Sequence, residues 1–337
     1  MNPVLVNVWR GSAIESRHRG AVAVVDSSGK SVFSFGDTQL PVYPRSAIKF
    51  FQSVPLLETG AAQHFDLDDQ HIAFSCASHN GEIIHDDLAN DWLKRIACEV
   101  DDLECGATLP MNKESAYELL GMGRGPQRTH HNCSGKHLGL LTTCRYLKET
   151  VQNYRLYHHP AQRRWFDVLE NLCNVRPMQL PWGYDGCGIP TLAMPLHRVA
   201  FGMARFADKT GVDEDRAQAI DQIQTAVARH PYLVAGASRL CTALMERLAP
   251  KVLVKVGAEG FYAACLPEQG LGIAIKMDDG GTRGANVAMG AVLQSIGEMQ
   301  DDIAAELQEF IAPSITNSRG EVVGRIEASS EWTDVSY

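Results

Sequence analysis

The 337-residue sequence has no internal repeat, no low-complexity tract and no surplus of basic side chains. Its 31 Lys and Arg stand against 40 Asp and Glu, a formal charge of -9, so no general basic field exists to hold a nucleic acid backbone or an anionic membrane. Neither partner is expected. Met1 to Glu15 mixes short apolar pieces with Asn7, Arg10 and Ser12, lacking both a continuous signal-peptide core and a long membrane span, and the expected location is the cytoplasm. No G-x-G-x-x-G occurs in a βαβ setting and no complete Walker A loop is present, which excludes nicotinamide dehydrogenase and nucleotide hydrolase readings. Paired C-x-x-C units of the structural zinc type are missing as well. The nine cysteines form an odd set in a chain too large to need disulfide staples, and most are expected to be buried thiols.

What is present describes an ordinary soluble globular protein, with 45% hydrophobic and 21% charged residues and a length that permits one large domain or two unequal ones. Asn2 to Trp9, Ala21 to Asp26 and Ser31 to Phe35 read as strands, the last two joined by a Gly-containing turn. Lys251 to Val256, Phe261 to Leu266 and Leu271 to Lys276 read as three successive antiparallel strands, and Gly320 to Ser329 as a short strand or tail. After Pro44, an almost wholly apolar pattern predicts a helix with Ser46 in its first turn and a bend or end at Pro55. Further helices are predicted at Ile84 to Cys98, Leu196 to Ala207, Glu214 to Ala228, Ser238 to Leu248 and Gly284 to Ile296, while Gly121 to Gly125, His130 to Lys136 and Pro181 to Pro190 read as loops. The expected fold is mixed α/β, with a central antiparallel sheet mainly from residues 1–40 and 251–330, flanking helices and a largely helical lobe over about 50–240. Both ends then feed one sheet, and residues 1–337 form a single catalytic unit.

Ser46 and Lys49 form an S-x-x-K pair whose helical spacing brings a hydroxyl and an amine to one face. The lysine serves as a base only when burial or a nearby cation depresses its pKa, and the apolar residues around it allow that. In isolation the pattern is as well explained by helix capping and surface use. Lys255, on a strand in the apolar run that ends at Gly257, supplies a second amine able to bind a substrate carboxylate or regulate the serine. The glycine can admit substrate near the sheet edge. The stretch Phe74 to Glu82 turns abruptly polar and can set Ser78 opposite Ser46 as a proton relay; the bland reading makes Ser78 an N-cap, with His79, Asn80 and Glu82 satisfying a turn instead of binding substrate.

The run His130 to His137 and the loop Gly186 to Gly188 are dense in metal-capable groups, so that Cys133 and Cys187 can meet. The third ligand is open among His131, Lys136 and His137, with histidine favoured by general coordination chemistry, and buried thiols are the alternative to a metal. Asp185 can receive a substrate ammonium, or serve as a plain turn carboxylate. Asp279 can cap the following helix, and Arg283 can clamp a carboxylate or brace Asp278.

Six motifs taken in order carry a more specific signal: E-S-R-H-R-G from Glu15, R-S-A-I-K from Arg45, S-H-N-G-E from Ser78, H-H-N-C-S-G-K-H from His130, W-G-Y-D-G-C-G from Trp182 and K-V-G-A-E-G from Lys255. Together, over about residues 10–295, they resemble the rhizobial-type L-asparaginase II family. The resemblance implies a fold like that of glutaminases and serine β-lactamases, and hydrolysis of L-asparagine to L-aspartate and ammonia. It implies Ser46 as primary serine with Lys49 as its partner, Ser78 as second serine, and Lys255 as the lysine of the later strand. It also implies zinc on Cys133, Lys136 and Cys187, with Asp185 near the substrate amine, His131 and His137 around the ligands, and a homodimer. Phe50 stands where the family often has proline, and Asn80 where serine is common; both changes bear on substrate fit rather than on the reacting groups. Glutaminase, a β-lactamase-like amidase and a noncatalytic asparagine-binding protein are the competing readings.

Overall fold

The computed structural model describes residues 1–333, and divides into two compact units, one of Met1–Ala47, Ala193–Thr210 and Arg247 onward, the other of Ile48–Leu192 and Gly211–Glu246. The first is built on an eight-stranded antiparallel sheet. Its strands run in the order Ser314–Thr316, Val322–Ala328, Val4–Arg10, Ala13–Asp26, Leu271–Met277, Phe261–Leu266 and Leu253–Val256, with Ser31–Phe35 also paired to Ala13–Asp26. Alternating and wholly apolar runs produce this sheet for the reason the sequence suggests: one or both faces of each strand must leave water.

The strand Ala13–Asp26 is longer than its apolar half, because its polar first part pairs with Val4–Arg10 while its second part pairs with Leu271–Met277. That polar half has no β-like composition, which hides it from a reading by periodicity. Helices Leu196–Asp208 and Thr282–Ser295 pack on the sheet through buried Val199, Ala200, Met203 and Ala204 in one and Val287, Ala288, Ala291 and Val292 in the other. The expected mixed α/β class with a central antiparallel sheet and flanking helices is observed, its strands coming from both ends of the chain.

The second unit is helical apart from the hairpin Trp182–Tyr184 and Pro190–Leu192. At its centre lies helix Ser134–Tyr146, buried from Ser134 through Cys144, and packed by helices Lys49–Glu58, Asp69–Ser75, Ile83–Arg95 and Pro160–Cys173. A helix covered on all sides shows no polar stripe, and this is why its first turn reads as loop. Ser134, Gly135 and Lys136 are thus helical, not loop, residues. Two further expectations are corrected. Ser46 precedes the helix, in a 3-10 turn Arg45–Ile48, and the helix runs through Pro55 to Glu58 because Phe50, Phe51, Val54 and Leu56 are all buried along it. Among the described residues no helix is long and apolar enough to cross a membrane.

Candidate active site

In the helical unit the Lys49 side chain is wholly buried and its amine donates to the carbonyls of Ala77 and Asn132 and, at 3.1 Å, to the Cys133 sulfur. Cys133 and Cys187 share a side-chain hydrogen bond, and Lys136 Nζ donates to Cys187 Sγ at 3.0 Å. Two amines and two sulfurs therefore form one buried chain. The bond from Cys187, with Lys49 and Lys136 close by, holds the Cys133 thiol well below the usual thiol range against the effect of burial. The same bond, and burial, push the Cys187 thiol well above it, so the proton of the pair sits on Cys187. Burial works against charge on Lys136, but Cys187, Cys133 and Asp185 together raise its ammonium above the ordinary lysine value.

These residues fit a thiophilic cation: two sulfurs and an amine already converge, and the amine can bind a metal once its proton is displaced. No group of three or more His, Cys, Asp or Glu side chains converges in this way among the described residues. Of the candidates for a third donor, Lys136 reaches Cys187, His131 hydrogen-bonds to Cys133, and His137 Nδ1 is instead 2.6 Å from the Tyr154 hydroxyl. Asp185 lies in the turn of the hairpin, its Oδ1 accepting from the Gly186 N–H at 2.6 Å.

The loop after Ser75 holds the S-H-N-G-E motif. Ser78 is not an N-cap: Glu82 occupies that position for helix Ile83–Arg95, and the Ser78 N–H donates to the Val234 carbonyl at 2.9 Å. His79 is buried between the Gly81 N–H on Nδ1 and the Ser134 hydroxyl on Nε2, and burial, then His85, depresses its pKa well below the usual value, so it is neutral. Asn80 and Glu82 are bound to each other and to Tyr232, Ala237 and Arg239. Those three partners come from a segment that no sequence motif marks; Pro231 before it and Gly236 within it are its visible signs.

In the sheet-bearing unit, Ser46 follows Arg45, whose φ of 53° is a left-handed value that non-glycine residues seldom adopt. Lys255 is buried on strand Leu253–Val256, and its amine donates to the Val256 carbonyl at 2.9 Å. A Cβ at Gly257 would lie 2.6 Å from the Pro44 carbonyl oxygen and 3.3 Å from the Ala47 Cβ, so the missing side chain lets the end of the Lys255 strand pack directly on the turn that carries Ser46. Arg283 donates to His18 Nε2 at 3.0 Å, while His18 Nδ1 is 2.6 Å from Asp279. Arg283 therefore braces His18, whereas Asp278 accepts from Asn2; Asp279 is not the expected cap, because Gly281 holds the N-cap position of helix Thr282–Ser295 and Asp279 accepts only its N–H, closing the turn before the helix. Thus the structure places Ser46, Lys255, Gly257 and Arg283 in one unit and Lys49, Ser78, His79, Asn80, Glu82, Cys133, Lys136, Asp185 and Cys187 in the other.

Comparison with known proteins returns solved structures and a family. The chain is similar to the native form of a protein called Mglu, at 13% identity and a TM-score of 0.46, over 90% of this chain and 70% of that one. It is also similar to D-alanine carboxypeptidase AmpC from Burkholderia cenocepacia, at 14% identity and a TM-score of 0.38, over 81% and 93%. No curated protein matches it. The family model for L-asparaginase II aligns with residues 6–328, which takes in every motif from Glu15 to Arg283. By that match, the protein belongs to the L-asparaginase II family and is a hydrolase of that class.

Proposed function

We propose that the protein is an L-asparaginase of the rhizobial type, hydrolysing the side-chain amide of L-asparagine through a Ser-Lys mechanism. The observation that carries this reading is Lys49: a wholly buried lysine, three residues after a serine, whose amine is held by carbonyl oxygens and a sulfur. Lysine is almost never fully buried unless it is paired, and the partners of this one are two carbonyls and the Cys133 sulfur in place of a carboxylate. Ser46 Oγ attacks the amide carbon, forming a C–O bond, and its proton passes to the lone pair of Lys49, which takes part as the neutral amine with one of its three donated bonds given up. The Ser78 and Lys255 pair delivers a proton to the leaving nitrogen, which departs as ammonia and leaves a β-aspartyl ester on Ser46. Water then attacks the ester, giving one proton back to the Ser78 and Lys255 pair, and Ser46 recovers its own from Lys49 as aspartate is released. Backbone N–H groups near Ser46 and on the Lys255 strand supply the oxyanion donors.

Asp185 receives the substrate ammonium. Cys133, Lys136 and Cys187 would hold a zinc ion, whose charge the two thiolates offset, and its chemistry there would be to orient substrate and to tie the start of helix Ser134–Tyr146 to the hairpin turn. A cytoplasmic setting keeps both thiols reduced, and a homodimer is the assembly proposed.

The test is ammonia release from L-asparagine, run beside glutamine and a cephalosporin. Asparagine turnover with little from the others is expected, and S46A should lose at least about 10²-fold in kcat. Turnover of glutamine alone would move the reading to a glutaminase; none with any amide would leave a binding protein.

A further inference from the structure

The loop Ser78–Glu82 is folded against one short segment of chain, Tyr232–Arg239, by five hydrogen bonds. The Ser78 N–H donates to the Val234 carbonyl at 2.9 Å, Asn80 Nδ2 donates to the Ala237 carbonyl at 2.9 Å, and the Ala237 N–H donates to Glu82 Oε1 at 2.9 Å. Tyr232 donates its hydroxyl to Glu82 Oε2, and Arg239 donates from its guanidinium to Asn80 Oδ1 at 2.8 Å. Between them Gly236, at a φ of 100°, has no space for a side chain: a Cβ there would be 2.7 Å from Glu82 Oε1 and 2.9 Å from Asn80 Nδ2.

Asn80 is the hub of this contact. Its amide nitrogen has two donors, and both are used, on Glu82 Oε1 and the Ala237 carbonyl; its amide oxygen takes Arg239. Its main-chain carbonyl accepts the N–H groups of Met111 and Asn112, at 2.7 and 3.1 Å. An asparagine with its amide donors spent and its oxygen engaged by Arg239 is a poor ligand for substrate and a good fixture for its neighbours. Arg239 supplies the bond to the amide oxygen and, with the two bonds that Nδ2 gives to Glu82 and Ala237, completes the set of three that fixes the amide in place.

We propose that Arg239 is a positioning residue for Ser78, acting through Asn80, and that Asn80 and Glu82 set the shape of the loop rather than touch substrate. This rests on the reading above only in giving Ser78 a part in proton transfer. Loss of the Arg239 bond removes one of the three bonds on the Asn80 amide and the tie from the loop to residue 239, and the loosened loop then samples positions in which the Ser78 hydroxyl misses its proton partner.

The experiment combines steady-state kinetics with hydrogen exchange on R239M, R239K, N80A and the N80A/R239M double variant, each checked for its thermal midpoint. R239M should lower kcat about 10- to 100-fold with KM within about twofold, while raising exchange in the peptide covering residues 76–82 and leaving that of helix 134–146 unchanged. R239K, which keeps one donor, should restore part of both, and the double variant should be no worse than N80A. A rise in KM at constant kcat would make Arg239 a substrate contact and overturn the proposal. So would undiminished loss in the N80A background, or exchange of residues 76–82 untouched by R239M. If the wild-type protein fails to hydrolyse asparagine, the exchange results still decide the Arg239 assignment. Should R239M lower the midpoint so far that the helix also exchanges freely, R239K decides: intact helix protection with a partial fall in kcat at unchanged KM and a partial rise in loop exchange supports the assignment, and intact protection with loop exchange unchanged from wild type, or with a rise in KM, overturns it.

Discussion

Ser46 and Lys255, in the sheet-bearing unit, are placed by main chain: a 3-10 turn entered through a left-handed residue, a strand in register with Phe261–Leu266, and a glycine that lets the two pack. Lys49, Cys133, Lys136 and Cys187, in the helical unit, are linked side chain to side chain in a buried chain of amines and sulfurs, with the carbonyls of Ala77 and Asn132 also on Lys49. The difference predicts how each fails. A group placed by main chain tolerates changes in nearby side chains but not loss of backbone clearance. A linked cluster fails when any member is removed, because each partner left behind is a buried polar group that has lost a bond and, beside Cys133, its countercharge.

The largest expected effect breaks the second kind of support. C133A leaves the Lys49 amine without its sulfur and should cost about 4 kcal/mol in stability, measured by urea unfolding in chelator. C133S, which keeps an acceptor, should cost less. Equal losses would mean that packing and not the polar chain holds the cluster. Next comes the first kind. G257A should lower kcat about 10²-fold, since the Pro44 carbonyl must move and the Ser46 turn with it, while the urea midpoint of the variant changes little. Wild-type kcat in G257A would show that the turn is placed by other contacts.

The smallest effect separates polar support from charge. Burial acts to raise the Glu82 pKa, but bonds from Tyr232, the Ala237 N–H and Asn80 win and hold it below the usual carboxylate range. A depressed acid contributes stability that is present above its unfolded pKa and is lost as pH falls through the folded value. Y232F should therefore cost about 2 kcal/mol at neutral pH, and the gap to wild type should narrow as Glu82 takes up its proton. A gap that stays constant with pH would detach Tyr232 from the Glu82 charge.

The same contrast decides what the sequence makes legible. Strands Ser31–Phe35 and Phe261–Leu266 are visible to the residue, because burial writes itself as apolar runs bounded by turn residues. The polar half of Ala13–Asp26 is not, since its pairing with Val4–Arg10 demands no apolar face. Helix Ser134–Tyr146 is hidden for the opposite reason: it is covered all round, so no stripe marks it, and its start reads as a metal-rich loop. Within the site, Ser46, Lys49, Cys133 and Cys187 stand out by residue type and motif. Tyr232 and Arg239 do not, because they act on the Ser78 loop through side-chain geometry across about 150 residues of chain, as in the Tyr232 and Glu82 contact with its separation of 150. Arg283 shows the converse: a charged residue after a glycine pair invites a substrate role, and here it is bound to His18.

The central claim is that Ser46 carries the acyl group. Acid quenching during turnover of L-asparagine, followed by peptide mass spectrometry, tests it directly. The account predicts a β-aspartyl ester on the peptide containing Ser46, absent in S46A. An ester found on Ser78 instead, or an S46A protein that still turns over asparagine at the wild-type rate, would contradict it.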